Sequence, residues 1–332
     1  MEGFKNKIIL VTGGTGTIGS ELVRQLIKFK PKQIRVLSRD QNKQYKLAEE
    51  VRHQPGIRLF IGDIRDKERL DLAFEKVDII FHTAALKHVP SCEYNPFEAV
   101  KTNIIGSQNV IDIARKHRVK KVIGISTDKA VNPSSIMGAS KLMMERLFVN
   151  ANQYLTHFGT KFACVRFGNV AWASGSVLPI WAKQIESGNE ITVTNQNMTR
   201  FLMSTDQAIN LVLKASQLTK GGEVFILKMP AIKLDDLGKL FVAKYALNKK
   251  IGIRYIGSRA GEKEHEELID QSDLDKNIFE NKEMLIIAPP QPVYYNKKET
   301  RHYSGFVKVK DPTKLTLSSQ NSLNPEGIVK II

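Results

Sequence analysis

Short apolar runs alternate with amphipathic stretches through the first half of the chain. The first run, at 7–11, reads Lys-Ile-Ile-Leu-Val and is typical of a strand that is buried on both faces of a sheet. Further strand-like runs of the same character lie at 34–37, 59–61, 77–81, 122–125 and 162–166. Amphipathic stretches such as 99–114 and 140–154 separate them and predict helices. Steady alternation of strand and helix predicts an α/β fold with a doubly wound parallel sheet of the Rossmann type.

The pattern becomes irregular after residue 167. Short helical stretches at 206–216 and 234–246 lie among loops. We therefore expect the Rossmann domain to occupy residues 1–167 and a smaller, irregular lobe to occupy mainly residues 168–332, with parts that return to the Rossmann core. From about Gly305 onward the chain is rich in Ser, Asn, Lys and Pro, which predicts a partly ordered tail.

Composition limits the class of protein. The chain has 332 residues, of which 42% are hydrophobic; this is ordinary for a packed globular protein and excludes disordered and fibrous classes. No apolar run reaches the roughly 18 residues of a transmembrane helix, and the first ten residues lack a signal-peptide core. Cys92 and Cys164 form neither a disulfide framework nor a zinc-binding spacing. Reduced thiols, a cytoplasmic location and no metal site are therefore expected.

The chain is strongly basic, with a formal net charge of +16 from 50 Lys and Arg against 34 Asp and Glu. Such proteins bind nucleic acid, an anionic membrane surface or phosphorylated small molecules. The basic residues here are scattered, with only short clusters such as Lys249-Lys250. Because no aromatic-basic stacking motif accompanies them, nucleic-acid binding is disfavoured and a small polyanionic ligand is favoured.

Three glycines in the spacing Gly13-x-x-Gly16-x-x-Gly19 stand between the first strand and the first helix. In this context they predict a dinucleotide-binding turn, where the missing side chains permit a tight bend and close approach of a pyrophosphate to the helix N-terminus. The loops after the next three strands are expected to complete the cofactor site. The cofactor-binding residues predicted from these segments are Gly13, Thr15, Gly16, Thr17, Ile18, Gly19, Ser38, Arg39, Asp40, Asp63, Ile64, Ala84 and Ala85.

The choice between NAD and NADP depends on the end of the second strand, which reads Ser38-Arg39-Asp40. A carboxylate there binds the adenosine ribose hydroxyls, whereas a guanidinium suits a 2′-phosphate. Both groups are present, so both cofactors remain open. We favour NADP because of Arg39.

These motifs and three later segments resemble the extended short-chain dehydrogenase/reductases. The later segments are Ala-Ala-Leu-Lys-His-Val-Pro at 84–90, Ser-Thr-Asp-Lys-Ala at 126–130 and Gly-x-Ser-Lys at 138–141. Within that family the chain is most similar to nucleotide-sugar 4,6-dehydratases that act on UDP-N-acetylglucosamine, over roughly residues 5–300. The Thr-Asp-Lys triplet at 127–129 distinguishes this group from the sugar 4-epimerases and from the dTDP-glucose dehydratases. The resemblance implies a tightly bound nicotinamide cofactor that is regenerated in each turnover.

The reaction of such dehydratases requires proton transfers at three neighbouring carbons of the sugar. A hydride leaves C4 while O4 loses its proton, a base removes the C5 proton, an acid expels the C6 hydroxyl, and the hydride returns to C6. By resemblance, Asp128 is the acid for the C6 hydroxyl and Lys129 is the base at C5. Lys129 must be partly neutral for this role, and we expect burial and nearby cations such as Lys141 to favour the neutral form. Lys141 itself is expected to bind the nicotinamide ribose.

One position departs from the family pattern. Dehydrogenase-type members carry Tyr four residues before the active-site Lys, but Met137 occupies this place here. A thioether cannot take the O4 proton, so either oxidation at C4 fails or another group accepts that proton. We favour the hydroxyl of Thr127, which would relay the proton to water or toward Lys141. The replacement also resembles a subset of dehydratases that retain the configuration at C5, and we therefore expect retention.

The substrate is expected to contact residues from both parts of the chain. Lys87 is expected, by resemblance, beside the cofactor and the sugar, whereas His82 is interpreted as a core histidine because the strand before it is apolar. Segments at 166–179, 199–201 and 259–263 resemble those that hold the nucleotide diphosphate and ribose in the family, and arginine suits phosphate. The predicted substrate-binding residues are Lys87, Asn169, Ser176, Val177, Pro179, Arg200, Arg259 and Glu262.

Together these features predict a UDP-N-acetylglucosamine 4,6-dehydratase that forms a UDP-4-keto-6-deoxy sugar for surface-glycan synthesis. We expect it to act on a UDP-sugar as a homo-oligomer, a dimer or larger. Two enzymatic alternatives remain open, namely a C5-inverting dehydratase and a 4-epimerase. A third alternative is a catalytically silent, cofactor-binding regulator, because Met137 replaces the usual Tyr.

Overall fold

The computed structural model describes residues 2–154, 159–247, 249–289, 301–315 and 318–332. In these ranges the strands are β1 Ile8–Thr12, β2 Gln33–Ser38, β3 Ile57–Ile61, β4 Ile79–His82, β5 Lys121–Ile125, β6 Lys161–Arg166, β7 Asn169–Val170, β8 Ile191–Val193, β9 Thr199–Met203, β10 Val224–Leu227, β11 Ala231–Lys233, β12 Ile253–Tyr255, β13 Ile278–Glu280, β14 Met284–Ile287 and β15 Val307–Lys308. The α-helices are α1 Thr17–Ile27, α2 Gln41–Glu50, α3 Lys67–Phe74, α4 Val89–Tyr94, α5 Pro96–Ala99, α6 Gly106–Lys116, α7 Ile136–Tyr154, α8 Val177–Glu186, α9 Thr205–Leu218, α10 Leu234–Tyr245, α11 Gln271–Leu274 and α12 Pro325–Val329.

A large, mostly parallel sheet forms the centre of the fold. Its strand order is β3-β2-β1-β4-β5-β6-β10-β14-β13-β15, and the strands from β3 to β10 run parallel, whereas β14, β13 and β15 add antiparallel pairs. Ile9, Leu10 and Val11 of β1 are fully buried, as expected for a strand covered on both faces. The order 3-2-1-4-5-6 is that of a doubly wound Rossmann sheet, which confirms the predicted fold class.

The helix predicted over 99–114 is divided in two. A π-helical stretch, Val100–Ile105, joins α5 to α6. In this wider turn the side chain of Asn103 is buried, accepts from the Leu86 backbone N–H at 2.8 Å and donates to the Leu86 carbonyl at 3.0 Å and to the Ser140 hydroxyl at 2.9 Å. The turn thereby ties the loop after β4 to α7, and both of these elements border the site described below.

Two small sheets form a second lobe, in the orders β11-β9-β7 and β12-β8. Its own apolar cluster is centred on the buried Trp181 and Phe241. Other parts of the chain after residue 167 return to the main sheet as β10, β13 and β14. In the described part of the predicted tail, β15 extends the main sheet and Ile328 of α12 is buried in the second lobe, so this part of the tail is packed against both lobes.

A buried ionic cluster fixes α7 against the sheet. The guanidinium of Arg166, at the end of β6, donates to the carboxylate of Glu145 at 2.5 and 3.2 Å, to that of Asp273 at 2.7 Å and to the Leu268 carbonyl at 2.8 Å. All three charged side chains are at most 1% exposed. Burial raises the pKa of Asp273, but Arg166 and Lys276 outweigh it and lower that pKa to about 2. Asp273 is therefore ionised at neutral pH, and the contacts of Arg166 with Glu145 orient α7.

Of the helices described, none is both long and apolar enough to cross a membrane.

Candidate active site

The glycine turn after β1 leaves room for an anionic group at the start of α1. Gly13 has φ +67°, and a Cβ there would lie 2.6 Å from the backbone nitrogen of Ala84; one on Gly19 would overlap the carbonyl oxygen of Gly13. Gly16 is the N-cap of α1 without a side-chain cap, and the first turn of the helix has no acidic residue. Side chains are thus excluded where a pyrophosphate approaches, and the positive end of the helix dipole faces that place.

A cavity of about 600 Å³ lies along the carboxyl ends of β1, β2, β4 and β5, the edge where doubly wound sheets bind ligands. Its lining includes the whole predicted cofactor set, namely Gly13, Thr15, Gly16, Thr17, Ile18, Gly19, Ser38, Arg39, Asp40, Asp63, Ile64, Ala84, Ala85, Lys87 and Lys141. It also includes residues that were not among the predicted binding residues, namely Lys43, Thr83, Leu86, His88, Thr102, Ser126, Phe167, Ser174 and Gly175. These residues fit a dinucleotide, and the turn after β1 would hold its pyrophosphate.

The two charged residues after β2, Arg39 and Asp40, have different contacts. The carboxylate of Asp40 caps α2 by accepting from the Lys43 backbone N–H at 3.0 Å, which is the main reason why the pKa of Asp40 is lowered. Arg39 is half-exposed and lies 3.3 Å from Asp63, a carboxylate that is also bound by Arg65 at 2.7 Å. Arg39 and Lys43 line this end of the cavity, each beside a carboxylate: Arg39 pairs with Asp63 and Lys43 with Asp40 at 3.3 Å. The Asp40 carboxylate also caps α2.

The Thr-Asp-Lys triplet follows β5 directly and forms a hydrogen-bonded unit. The hydroxyl of Thr127 donates to Oδ1 of Asp128 at 2.8 Å, and Nζ of Lys129 lies 3.1 Å from the same oxygen. Asp128 is fully buried, and its Oδ2 has no hydrogen-bond partner among the described residues. Burial raises the pKa of Asp128, and the negative charge of Glu266 adds to this effect, against the opposing influence of Lys129. The unit offers one buried acid with a raised pKa and one amine, and Thr127 and Lys129 line the cavity.

The charge state of Lys129 corrects an expectation. We expected burial and cations such as Lys141 to keep its amine partly neutral. Burial does lower the pKa of Lys129, but the carboxylates of Asp128 and Glu266 outweigh it, so that this pKa is raised above its ordinary value. Their oxygens lie 3.1 and 3.3 Å from Nζ. At rest, the amine is therefore an ammonium group, and it must lose a proton before it can act as a base.

Glu266 was missed by the sequence analysis. It lies in a loop of the second half of the chain, its side chain is 2% exposed, and its Oε2 has no partner among the described residues. No local motif marks it, because the chain reads Glu-Lys-Glu-His-Glu-Glu at 262–267 and five of these six residues are ordinary surface types.

Lys141 lies near the triplet, on the first part of α7. Its ammonium donates to the Ile125 carbonyl at the end of β5, and burial lowers the pKa of Lys141 to about 8. Met137, one turn earlier, borders the cavity but packs in an apolar cluster with Cys92 and Ala99.

His82 is buried between the hydroxyls of Thr12 and Ser107, at 2.8 and 3.0 Å, and burial lowers its pKa to about 3. The prediction of a core histidine is confirmed by these contacts.

The loop after β7 closes the opposite wall of the cavity. Nζ of Lys87 donates to the Ser174 carbonyl at 2.7 Å, and the Ser174 backbone N–H donates to the hydroxyl of Thr17 at 3.1 Å. The ring of His88 lies against Gly175, whose φ is +71°. Asn169 lies 3.4 Å from Nζ of Lys129, and it lines the cavity together with Ser176. The loop thus connects the glycine turn to the triplet.

The remaining predicted substrate residues lie outside this cavity lining. Val177 and Pro179 form the first turn of α8. Arg259 and Glu262 form a turn closed by two hydrogen bonds, and this turn packs beside Ser134. Arg200 is nearly buried and donates to the carbonyls of residues 199, 263 and 264. In this structure Arg200 therefore holds the loop that carries Glu266, and its predicted phosphate contact stays a prediction.

Known proteins resemble this chain over most of its length. The profile of the polysaccharide biosynthesis protein family matches residues 9–288. An uncharacterized membrane protein of Methanocaldococcus jannaschii is 49% identical over 310 residues, which cover 90% of this chain and 92% of that protein. A UDP-N-acetylglucosamine 4,6-dehydratase (inverting) of Campylobacter jejuni is 45% identical over 272 residues, or 81% of this chain and 79% of that protein. The X-ray structure of Pen from Bacillus thuringiensis has a TM-score of 0.89 and 40% sequence identity, with 100% of this chain and 98% of that chain covered.

Proposed function

Because the chain belongs to the polysaccharide biosynthesis protein family, one of the extended short-chain dehydrogenase/reductases, we propose that it is a UDP-N-acetylglucosamine 4,6-dehydratase. The observation that carries this proposal is the partly buried hydrogen bond between Lys129 and Asp128, 3.1 Å long, at the cofactor edge of the sheet. An amine and a carboxyl group in contact are what an elimination across C5 and C6 requires, since one group takes a proton and the other delivers one.

The cofactor of this proposal is a nicotinamide dinucleotide held by the glycine turn and by Lys141. When bound, it supplies the hydride acceptor for C4 and the hydride donor for C6. The protein handles the protons. Thr127 passes the O4 proton to Asp128, along the hydrogen bond that already joins them. Asp128 then transfers this proton to the C6 hydroxyl, which leaves as water. In this cycle the O4 proton is the one released in the water.

Lys129 acts on the C5 proton in the same cycle. The resting ammonium first releases one proton to solvent. The neutral amine then removes the proton that the C4 ketone has acidified, and it returns a proton to C5 after the hydride has reached C6, so that it ends the cycle neutral. A single amine on one face of the ring predicts retention at C5. Met137 has no proton to offer from another side, in contrast to the Tyr of dehydrogenase-type members. The Campylobacter relative is named as inverting, so the stereochemical part of our proposal depends on Met137 and Lys129 alone.

The proposal is tested by proton NMR of the purified protein with UDP-N-acetylglucosamine in deuterated water, with NADP or NAD supplied. A new C6 methyl signal with a hydrated 4-ketone supports 4,6-dehydration, and the ring couplings report the configuration at C5. Inverted couplings would refute retention but not the dehydratase. A 4-epimerised hexose would support the epimerase alternative, and unchanged substrate in the presence of bound cofactor would support the silent regulator.

We propose NADP as the preferred cofactor, because Arg39 and Lys43 lie at the adenosine end of the cavity while Asp40 caps a helix. Replacing Arg39 with Ala should weaken NADP binding by about tenfold and leave NAD binding nearly unchanged, since a charge-assisted hydrogen bond contributes about 1.5–3 kcal/mol. The measurement is calorimetric titration of cofactor-stripped protein. Arg52→Ala, a substitution outside the cavity lining, is the matched control. Equal losses for NADP and NAD, or a wild-type preference for NAD, would contradict this assignment.

The proton relay through Thr127 is tested by removing its hydroxyl without changing its shape. Thr127→Val should lower kcat by about 10²-fold, because the O4 proton then loses its hydrogen-bonded path to Asp128. Thr127→Ser keeps a hydroxyl and should remain within a few-fold of wild type. Both are compared under saturating substrate and cofactor, with melting temperature as a check on folding. Unchanged turnover of the Val variant would exclude Thr127 from the relay.

A further inference from the structure

Glu266 is a second carboxylate in contact with the amine of Lys129, besides Asp128. Its Oε1 lies 3.3 Å from Nζ of Lys129, and Nε of Arg200 lies 4.0 Å from the same oxygen. Burial raises the pKa of Glu266, but Lys129, Arg200 and Lys263 outweigh it and lower that pKa. The group is therefore an ionised carboxylate with one oxygen on Lys129 and the other, Oε2, without a partner in the described chain. Such a group restricts where the amine of Lys129 can point.

The backbone of Glu266 is held by the C-terminal segment. The hydroxyl of Ser319 accepts from the Glu266 N–H at 2.8 Å, and the Ser319 N–H donates to the Glu266 carbonyl at 2.8 Å. The same hydroxyl lies 2.6 Å from that of Thr199, whose hydroxyl is also 2.9 Å from Nδ1 of His265. Ser319 is completely buried. Segments around residues 199, 266 and 319 thus meet at the backbone of Glu266.

The segment that carries Ser319 lies beyond the residues matched by the family profile, which end at 288. It is nevertheless fastened on both sides of Ser319. An isolated bridge pairs Glu267 with Ser318, and the Ala231 N–H donates to the Ser322 carbonyl at 2.9 Å. Its end, α12, is packed in the second lobe. The C-terminal segment is thus linked to Lys129 through Glu266, whose backbone bonds to Ser319.

We propose that Glu266 is a positioning residue that orients Lys129 toward C5 of the sugar, and that the C-terminal segment supports the active site by holding Glu266 through Ser319. This inference rests on the proposed function. It gives the tail a role in catalysis, although none of its described residues lines the cavity. The charged groups that face Lys129 are Asp128, Glu266 and Arg200, and Lys263 faces Glu266 from its own loop.

The first test is the pH profile of Glu266→Gln. Turnover should rise with pH as Lys129 loses its proton, and Glu266 raises the pKa of Lys129. The Gln variant should therefore show this rise at lower pH than wild type. Its plateau kcat should fall about tenfold, because misplacement of a reacting group slows the chemical step, while KM stays within about twofold by the same reasoning. If Glu266 only packed against its neighbours, the pH dependence of kcat would not shift. A Gln variant whose kcat rises at the same pH as that of the wild type would therefore overturn the inference.

The second test uses the tail. Ser319→Ala keeps the charge of Glu266 but removes its support, so kcat should fall about tenfold through misplacement of Lys129, with the profile at its wild-type position. Ser322→Ala is the matched control, because in the part of the chain that the structure describes its hydroxyl bonds within the tail, to the Ser318 carbonyl at 2.9 Å. Equal kcat for Ser319→Ala and Ser322→Ala would overturn the role of the tail. This comparison does not depend on whether Glu266→Gln folds. Inactive wild-type protein in the NMR assay would instead refute the proposed function.

Discussion

Replacing Lys129 with Ala is expected to abolish deuterium incorporation at C5 and to lower kcat by about 10³-fold. The proposed cycle has one group for the C5 proton, and a positioned general base contributes about 10²–10⁴-fold to a rate. The substitution also leaves Asp128 and Glu266, two buried acids, without the ammonium that lies 3.1 and 3.3 Å from them. Like charges in a buried site favour protonation of one member, so the pKa of Asp128 should rise further.

The measurement is the NMR time course in deuterated water, with integration of the C5 proton. Lys67→Ala is a suitable control, since Lys67 is an exposed lysine paired with Asp112 at 2.9 Å on the surface. Deuterium that still enters C5 at the wild-type rate in Lys129→Ala would show that another group is the base. Loss of exchange with normal melting behaviour would assign the C5 step to Lys129.

Replacing Arg166 with Gln is expected to lower the free energy of unfolding by about 3–5 kcal/mol, the usual effect of breaking a buried ion pair. The guanidinium is completely buried and contacts Glu145, Asp273 and a backbone carbonyl. Gln cannot reach all of these partners or neutralise the two carboxylates. Asp273 keeps its contact with Lys276 at 2.6 Å, but Glu145 loses the cation that binds it. A buried carboxylate without its cationic partner is unfavourable.

Urea denaturation gives the free energy of unfolding for the variant and for the matched exposed substitution Arg52→Gln. Arg52 lies on the surface, 3.9 Å from Glu49, and its replacement should change stability by at most about 0.5 kcal/mol. A difference below about 1 kcal/mol for Arg166→Gln would contradict the view that the buried cluster stabilises the fold, since that is the range of exposed pairs.

The Rossmann core was predictable because its signals are local. Buried parallel strands appear as continuous apolar runs, and the runs that predicted β1 and β6 differ from the observed bounds by about one residue. The glycine turn was predictable for a similar reason. Gly13 and Gly19 occupy positions where no side chain fits, so the glycine spacing in the sequence directly reflects the steric requirement of the turn.

The division of the helix predicted over 99–114 was not predictable from its pattern. Apolar periodicity indicates a helical face but does not distinguish α from π hydrogen bonding. The deciding contacts belong to Asn103, which reaches the loop after β4 and Ser140 of α7. These partners are distant in the chain and adjacent only in the folded protein.

By itself the sequence determined the α/β class, the dinucleotide turn, the Thr-Asp-Lys triplet and the departure at Met137, because each depends on residues that are neighbours in the chain. Tertiary structure alone decided the charge state of Lys129 and the place of Arg200. The pKa of a buried amine depends on which charges the fold brings within a few ångströms, and Glu266 reaches Lys129 from a distant loop. That loop is held by Ser319 of the tail, a contact that no pattern in either segment encodes.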